Sequence, residues 1–565
     1  MAPEASARLL MEVEAAIDAE YQKLPLPHPD KYLATWYLLT VSEDYTRNLL
    51  VGMSRVGEKR IAYEIDRLKY SLKFGLERIY REIPADRAVT VPQRVVPMLY
   101  TRAAELLHGG KEFADGHQLC SAAHSGTVTI VATGTIVEVV VDEKAHDKGY
   151  AALELMGHGG APIIDHATLL YAWVREYRSP KVVEWIASFT TSKQRLLRYH
   201  YDQELAIALA REMSQADPLI PEHWHFRWGG RATTTVLLNA LCVRCLYHLV
   251  AIHFGALKLG LRGGGESNIL LVLTSEQLAL DIESMSSIPL TEVQSFISFL
   301  TYGSDTKTPD PALQPLIPLG PLQLGVPCLH FLSSNRERNL LSLQARVDKR
   351  SFDESSRLFE QQMVADLARQ VPKTWSVRCN SKPAGHTGEE LDLLIGDARS
   401  RTLLICELRW MLQPGDPREV KQRRNVCYEK VNQLERKVQW ARTNLQKLLS
   451  RAFDQPVDDT NDWRVEGIVV IENFGGARSQ RRELPVMTTP MFEVGIKRFA
   501  ELAEFAAWSQ SLEWLPQEGV HFEISDNEYE LAGMKLVVPG MVQLQSATEY
   551  MTHVEHTLVA NDRLS

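Results

Sequence analysis

Several features are scarce or missing in this 565-residue chain, and each absence narrows what it can be. The seven cysteines (Cys120, Cys242, Cys245, Cys328, Cys379, Cys406 and Cys427) are odd in number and sit mostly inside apolar runs. That pattern suits reduced, buried thiols and a cytoplasmic protein rather than a disulfide framework. The N-terminus, MAPEASARLLMEVEAAIDAE, carries acids where a signal peptide needs bases, and no apolar run follows them. The most apolar long stretch, Leu237–Leu261, is broken by Arg244, His248, His253 and Lys258. It reads as a buried core helix or helix pair rather than a membrane span, so no membrane partner is expected. The run Leu261-Arg262-Gly263-Gly264-Gly265 is not followed by Gly-Lys-Ser/Thr, which leaves no phosphate-binding loop. Gly157-His158-Gly159-Gly160 looks like an oxyanion loop, but no G-x-S-x-G accompanies it. Cys242, Cys245 and His248 could imitate a zinc site. Zinc knuckles, however, sit in turns, and here a second pair is missing. The net charge of −9 gives no global attraction to nucleic acid, so any such binding needs a local basic patch.

What is present is enough chain for two to four domains. Residues 1–110 have apolar side chains at helical spacing, as in YEIDRLKYSLKFGLERIYREI. Near Gly126 the pattern changes: GTVTIVATGTIVEVVVDEK is rich in β-branched residues around a Thr-Gly pair and predicts two strands. Helical pattern returns over 167–261. The proline- and glycine-punctuated stretch Lys307–Pro327 reads as a domain junction. These signals divide the chain into a helical region (1–110), a mixed α/β region (111–330), a compact α/β domain (340–510) and a C-terminal extension (511–565).

The third segment is the most specific. Ser351 and Glu354 form a capping-box pattern opening a helix through Gln370, which Pro372 stops. A short extended piece (375–379), ELDLLIG and TLLICELRW then read as three strands, the last two joined by the turn DARSR. A helix follows from Pro417 to about Leu449, with an apolar seam of Cys427, Val431, Leu434, Val438, Ala441, Leu445 and Leu448. VEGIVVIEN, almost wholly apolar, predicts a strand buried on both faces. The order is αβββαβ, within a multi-domain α+β protein. The 417–451 stretch carries ten Lys/Arg against three Glu, which supplies the local basic patch.

Three acids here stand in awkward places. Glu360 lies beside the apolar stripe of Val364 and Leu367, Asp392 sits between leucines inside a strand, and Glu407 ends the run TLLIC. A carboxylate so placed costs several kcal/mol unless it is paired or bound to a metal. Two of them on neighbouring strands could meet and hold a divalent cation, for which hard oxygen ligands are suited.

The run GEELDLLIGDARSRTLLICELRW resembles the core of the PD-(D/E)XK, restriction-endonuclease-like superfamily, over about 160 of the 565 residues. That resemblance implies a strand Asp (Asp392) and a later Glu (Glu407) binding Mg²⁺ or Mn²⁺ together with the Leu408 carbonyl. It also implies a helix-one Glu (Glu360) and a Gln on the following helix (Gln433). Arg409 stands where the family has lysine. Arginine keeps the charge but cannot accept a proton near neutrality. By the same resemblance the lysine can move to another element, and Lys430 or Lys437 would then replace it. Lys421, Arg423, Arg424 and Lys437 are the expected nucleic-acid contacts.

The function this implies is metal-dependent hydrolysis of phosphodiester bonds, with DNA as the partner, in the manner of restriction or phage-defence enzymes. The N-terminal 330 residues would then recognise a target, a protein partner or a second copy. The alternative is an inactive nuclease fold serving as a nucleic-acid- or protein-binding scaffold. A third reading makes the N-terminal region a sensor and the nuclease its output.

Overall fold

The computed structural model describes the chain except for residues 1–2, 52–57, 85–93, 134–135, 142–146, 159–190, 194–195, 200, 214–219, 259–264, 382–389, 455–458 and 563–565. The glycine-bearing segments at 159–160 and 261–264, and the loop before Asp392, therefore lie outside the described residues. The protein is mixed α+β and divides into two compact units, each assembled from separated stretches of chain. One comprises Met1–Glu12, Gln118–Gly160 and Ser356–Ser565; the other comprises Val13–His117 and Ala161–Ser355.

The second unit is largely helical. Its core joins helices Lys31–Val51, Glu58–Glu82 and Pro97–His124 through residues such as Trp36, Leu39, Leu72 and Leu106. One helix among the described residues, Arg231–His253, is long and apolar enough to cross a membrane, and 83% of its apolar window is buried. Two of its polar interruptions, Arg244 and His248, are satisfied. Arg244 Nε donates to Asp281 at 2.7 Å, and His248 Nδ1 lies 2.8 Å from the Tyr199 hydroxyl. The Lys307–Pro327 stretch is no junction. Gln323–Val326 pairs with Leu271–Thr274 and with Ile317–Pro318, so the punctuated sequence makes a small sheet inside this unit.

The first unit carries two sheets. One has the strand order Val128–Thr133, Ile136–Val141, Met534–Gln543, Phe522–Leu531. The parallel pairing of Ile136 with Lys535 joins segments that the sequence places in different domains.

The other sheet is the core of the 349–511 stretch, whose elements are labelled here in order. They are α1 (Lys349–Gln370), β1 (Ser376–Ser381), β2 (Leu391–Asp397), β3 (Thr402–Trp410), α2 (Pro417–Thr443), α3 (Leu445–Phe453), β4 (Arg464–Glu472), β5 (Val486–Thr488), α4 (Thr489–Arg498) and α5 (Leu502–Ser511). The strands run in sequence order across the sheet. β1, β2 and β3 are antiparallel neighbours; β4 and β5 join in parallel, as a crossover through α2 requires. α1 begins two residues before the predicted capping box. Asp348 Oδ1 accepts from Ser351 N–H, while Glu354 pairs with Arg350. The β2–β3 turn is fixed by Asp397, which accepts from Arg399 N, Ser400 Oγ and Leu502 N, and by Arg401 at φ +50°. α2 starts at an Asp416 cap with Pro417 in its first turn, and it ends six residues before Leu449, where Asn444 separates it from α3.

Candidate functional site: a carboxylate–lysine cluster

Side chains alternate across a strand, so the registers of β2 and β3 decide which residues share a face. Leu393 pairs with Cys406, and the next step of that antiparallel register sets Asp392 directly opposite Glu407. Both then lie on the face of Leu394, Leu403 and Ile405, which packs on Cys427, Val431, Leu434 and Val438 of α2. The two acids thus project towards the helix that carries the lysines.

Glu407 is 2% exposed, and its carboxylate is held on both sides. Lys430 Nζ lies 2.6 Å from Oε1, and Lys437 Nζ is bonded to Oε2. The two lysines are seven residues apart, two helical turns, so both reach down one face of α2. Asp392 Oδ2 accepts from Leu408 N–H at 2.8 Å. Its other oxygen accepts no hydrogen bond from a described residue. Burial, reinforced by the neighbouring Glu407 charge, pushes Asp392 up to about 6 against the opposing pull of Lys437, the Leu408 amide and Lys430. Because N–H and C=O of one strand residue point to the same side, the Leu408 carbonyl is directed towards the β2 edge as well.

Glu360 reaches the end of β3 from α1. Its Oε1 lies 2.9 Å from Arg409 and accepts from Trp410 N–H at 3.3 Å. Burial raises its carboxyl, while Arg409 and then Lys430 counter that rise. Three carboxylates (Glu360, Asp392, Glu407) therefore face three cations (Arg409, Lys430, Lys437). Among the described residues no group of three or more His, Cys, Asp or Glu side chains is gathered closely enough to hold a metal ion.

Gln433 is half-buried between the two lysines on α2 and hydrogen-bonds to no described residue. The expected nucleic-acid contacts are redistributed. Lys437 is buried on Glu407, and Arg424 is 8% exposed and held below its ordinary value by burial. Arg423 donates to the Leu412 carbonyl at 2.9 Å. Lys421 is half-buried, and exposed basic side chains on α2 and α3 are instead Arg418, Arg436, Arg442, Lys447 and Arg451. The reason is helical period: Arg424 and Lys437 lie three residues before Cys427 and three after Leu434, both on the seam that faces the sheet. Sequence reasoning named the Leu408 carbonyl but missed the main-chain donors, since the Leu408 and Trp410 amides bond to two of the three acids. The burial of β3 hinted that its peptide groups would matter, but nothing marked which side chains they meet.

Fold and site together define a mixed α+β protein with a buried carboxylate–lysine cluster at the end of a five-stranded sheet. Comparison of the chain with protein-family models, with curated proteins and with solved structures gives no match.

Proposed function

We propose that the 349–511 stretch is a restriction-endonuclease-like domain of the PD-(D/E)XK type, and that it hydrolyses phosphodiester bonds of DNA with Mg²⁺ or Mn²⁺. The observation that carries the reading is Asp392 set opposite Glu407 within an αβββαβ succession, with lysine on the following helix. The donor set suits such an ion: the unbonded Asp392 oxygen, the Glu407 carboxylate and the Leu408 carbonyl are all hard oxygens near one strand edge. When bound, the ion supplies Lewis-acid polarisation of the phosphodiester and lowers the pKa of an attacking water. The chain's own residues do the rest. The Leu408 amide orients Asp392, the lysines hold Glu407, and the Glu360–Arg409 pair closes the end of β3. Exposed Arg436, Arg442, Lys447 and Arg451 offer positive charge for a phosphate backbone.

A second reading rests on the charge balance. With both Glu407 oxygens on ammonium groups and arginine in the family's lysine position, the domain would be a retired nuclease that binds without cutting. Cleavage assays separate the two. The enzyme reading expects Mg²⁺- or Mn²⁺-dependent cutting of DNA, reduced roughly 10²-fold or more by Asp392→Ala or Glu407→Ala. Arg409→Lys should keep or raise the rate, because it restores the family's usual group. A wild type inert towards single- and double-stranded DNA and RNA with every divalent ion would leave the scaffold reading.

A further inference from the structure

The strand Phe522–Leu531 ends the four-stranded sheet, and among the described residues no strand pairs with its outer side. The two-residue turn Ala532-Gly533, with both residues at positive φ, joins it to Met534–Gln543, and the register runs unbroken over ten pairs. The His521 carbonyl accepts from Leu544 N–H, towards the partner strand, whereas the Phe522 carbonyl accepts from Gly519 N–H on the opposite side. Peptide groups alternate along an antiparallel strand, so Ile524, Asp526, Glu528 and Glu530 turn their N–H and C=O groups outward. Long regular edges are ordinarily blunted by proline, lysine or a bulge, and this strand has none of them. It carries acid instead. Asp526, Glu528 and Glu530 are exposed on the face of Ile524, and Lys535 of the neighbouring strand pairs with Glu528 at 2.7 Å. At the Ile524 end of that face, a groove of about 420 Å³ opens between the sheet and helix Lys148–His158. It is lined by Glu154 and by the apolar Ala151, Leu155, Ile524, Pro539 and Met541.

We propose that this edge receives an extended basic segment of another protein, which adds a strand to the sheet. Main-chain hydrogen bonds to the outward peptide groups hold the segment, and its alternate side chains select it. The residue beside Ile524 is apolar and enters the groove. Those at the second, fourth and sixth positions beyond it are lysine or arginine, set across from Asp526, Glu528 and Glu530. A second copy of the same strand is a poor occupant, because acids would stand opposite acids. The same charge repels a phosphate backbone. The proposal is independent of the nuclease reading.

The test is amide hydrogen exchange of the full chain with a large excess of the acetylated peptide Thr-Leu-Thr-Lys-Thr-Lys-Thr-Lys-Thr or its reverse sequence, one for each strand direction. Exchange over Phe522–Leu531 should slow with one sequence or the other, and not with a version bearing glutamate for lysine. Methylating alternate peptide nitrogens of the probe should abolish the protection in one phase and spare it in the other, because only one edge of the probe meets the sheet. Replacing the probe's leucine by glycine should weaken binding. Asp526→Lys combined with Glu530→Lys should weaken it roughly tenfold and admit the acidic probe, with unchanged exchange elsewhere in the chain showing that the variant is folded. The proposal is overturned if neither sequence protects the strand, if the acidic probe protects wild type equally, or if protection survives both methylation patterns. Slowing that grows with protein concentration alone would assign the edge to a second copy and overturn it too.

Discussion

Burying a carboxylate costs several kcal/mol unless its charge is met, and this protein meets that cost in two ways. Glu407 receives two ammonium groups. Glu43, fully enclosed in the helical unit, receives only the Leu329 and His330 amides, at 2.8 and 2.9 Å. Burial consequently pushes Glu43 up to about 8. A raised carboxyl means that the folded state keeps a proton which the unfolded chain releases above its ordinary value of 4.5. Stability is therefore full below that value and falls as pH rises towards about 8, by roughly 1.4 kcal/mol per unit. His330, held neutral down to about 3 by burial and by Lys69, does not titrate in this window. Denaturant unfolding between about pH 5 and 8 should show the decline, and Glu43→Gln should flatten it. A slope unchanged by that substitution would mean that Glu43 is ionised in the folded protein. At this scale the acids of the candidate site were legible, because a carboxylate between leucines demands a partner. Lys437 was not. In a stretch with ten basic residues nothing marks which one turns inward until the seam of Cys427, Leu434 and Val438 is seated on the sheet.

Strand, turn and helix signals translate well into elements where a single period dominates. β2, β3 and β4 follow their apolar runs to within a residue or two, and the predicted seam of α2 is buried at Cys427, Val431, Leu434, Val438 and Ala441. The break at Asn444 was missed because the apolar spacing continues through Leu445 and Leu448. What seats α2 at the right height is Gly467 on β4. A Cβ there would lie 2.8 Å from Leu484 Cδ2, 2.9 Å from Val438 Cγ2 and 3.1 Å from Leu434 Cδ2. Gly467→Ala must push the helix outward or force those side chains off their rotamers, at about 1–3 kcal/mol. Because Val438 adjoins Lys437, the same shift should loosen the grip on Glu407. We expect a lower denaturation midpoint and, under the nuclease reading, slower cleavage. A variant as stable as wild type would show that Leu484 yields without moving α2.

The whole molecule is where linear reading fails most. A continuous 340–510 domain was expected, yet the unit that holds its residues from Ser356 onward also takes in Gln118–Gly160 and the C-terminal residues, while 340–355 fall in the other unit. Pattern along a chain reports local period; it does not report which distant segments pair, and Ile136 beside Lys535 could not have been foreseen from either strand. The consequence is physical. Helix Lys148–His158 sends the Tyr150 hydroxyl to the Val486 carbonyl at 2.7 Å, and Glu154 accepts from Gly475 N–H. Tyr150 is 2% exposed and meets Trp514 edge-on, with ring centroids 6.0 Å apart. Gly475 is needed for this approach, since a Cβ there would come within 2.5 Å of the Glu154 backbone nitrogen. Residues 340–510 expressed alone lose both Tyr150 and Trp514 and expose the surface these rings cover, a deletion of aromatic area worth several kcal/mol. The fragment should show native-like far-ultraviolet dichroism but weak near-ultraviolet signals and poor amide protection around β4 and β5, and co-expression with residues 118–160 should restore part of that protection. A fragment that unfolds cooperatively by itself would instead make the 349–511 core self-sufficient, with helix Lys148–His158 an addition to it.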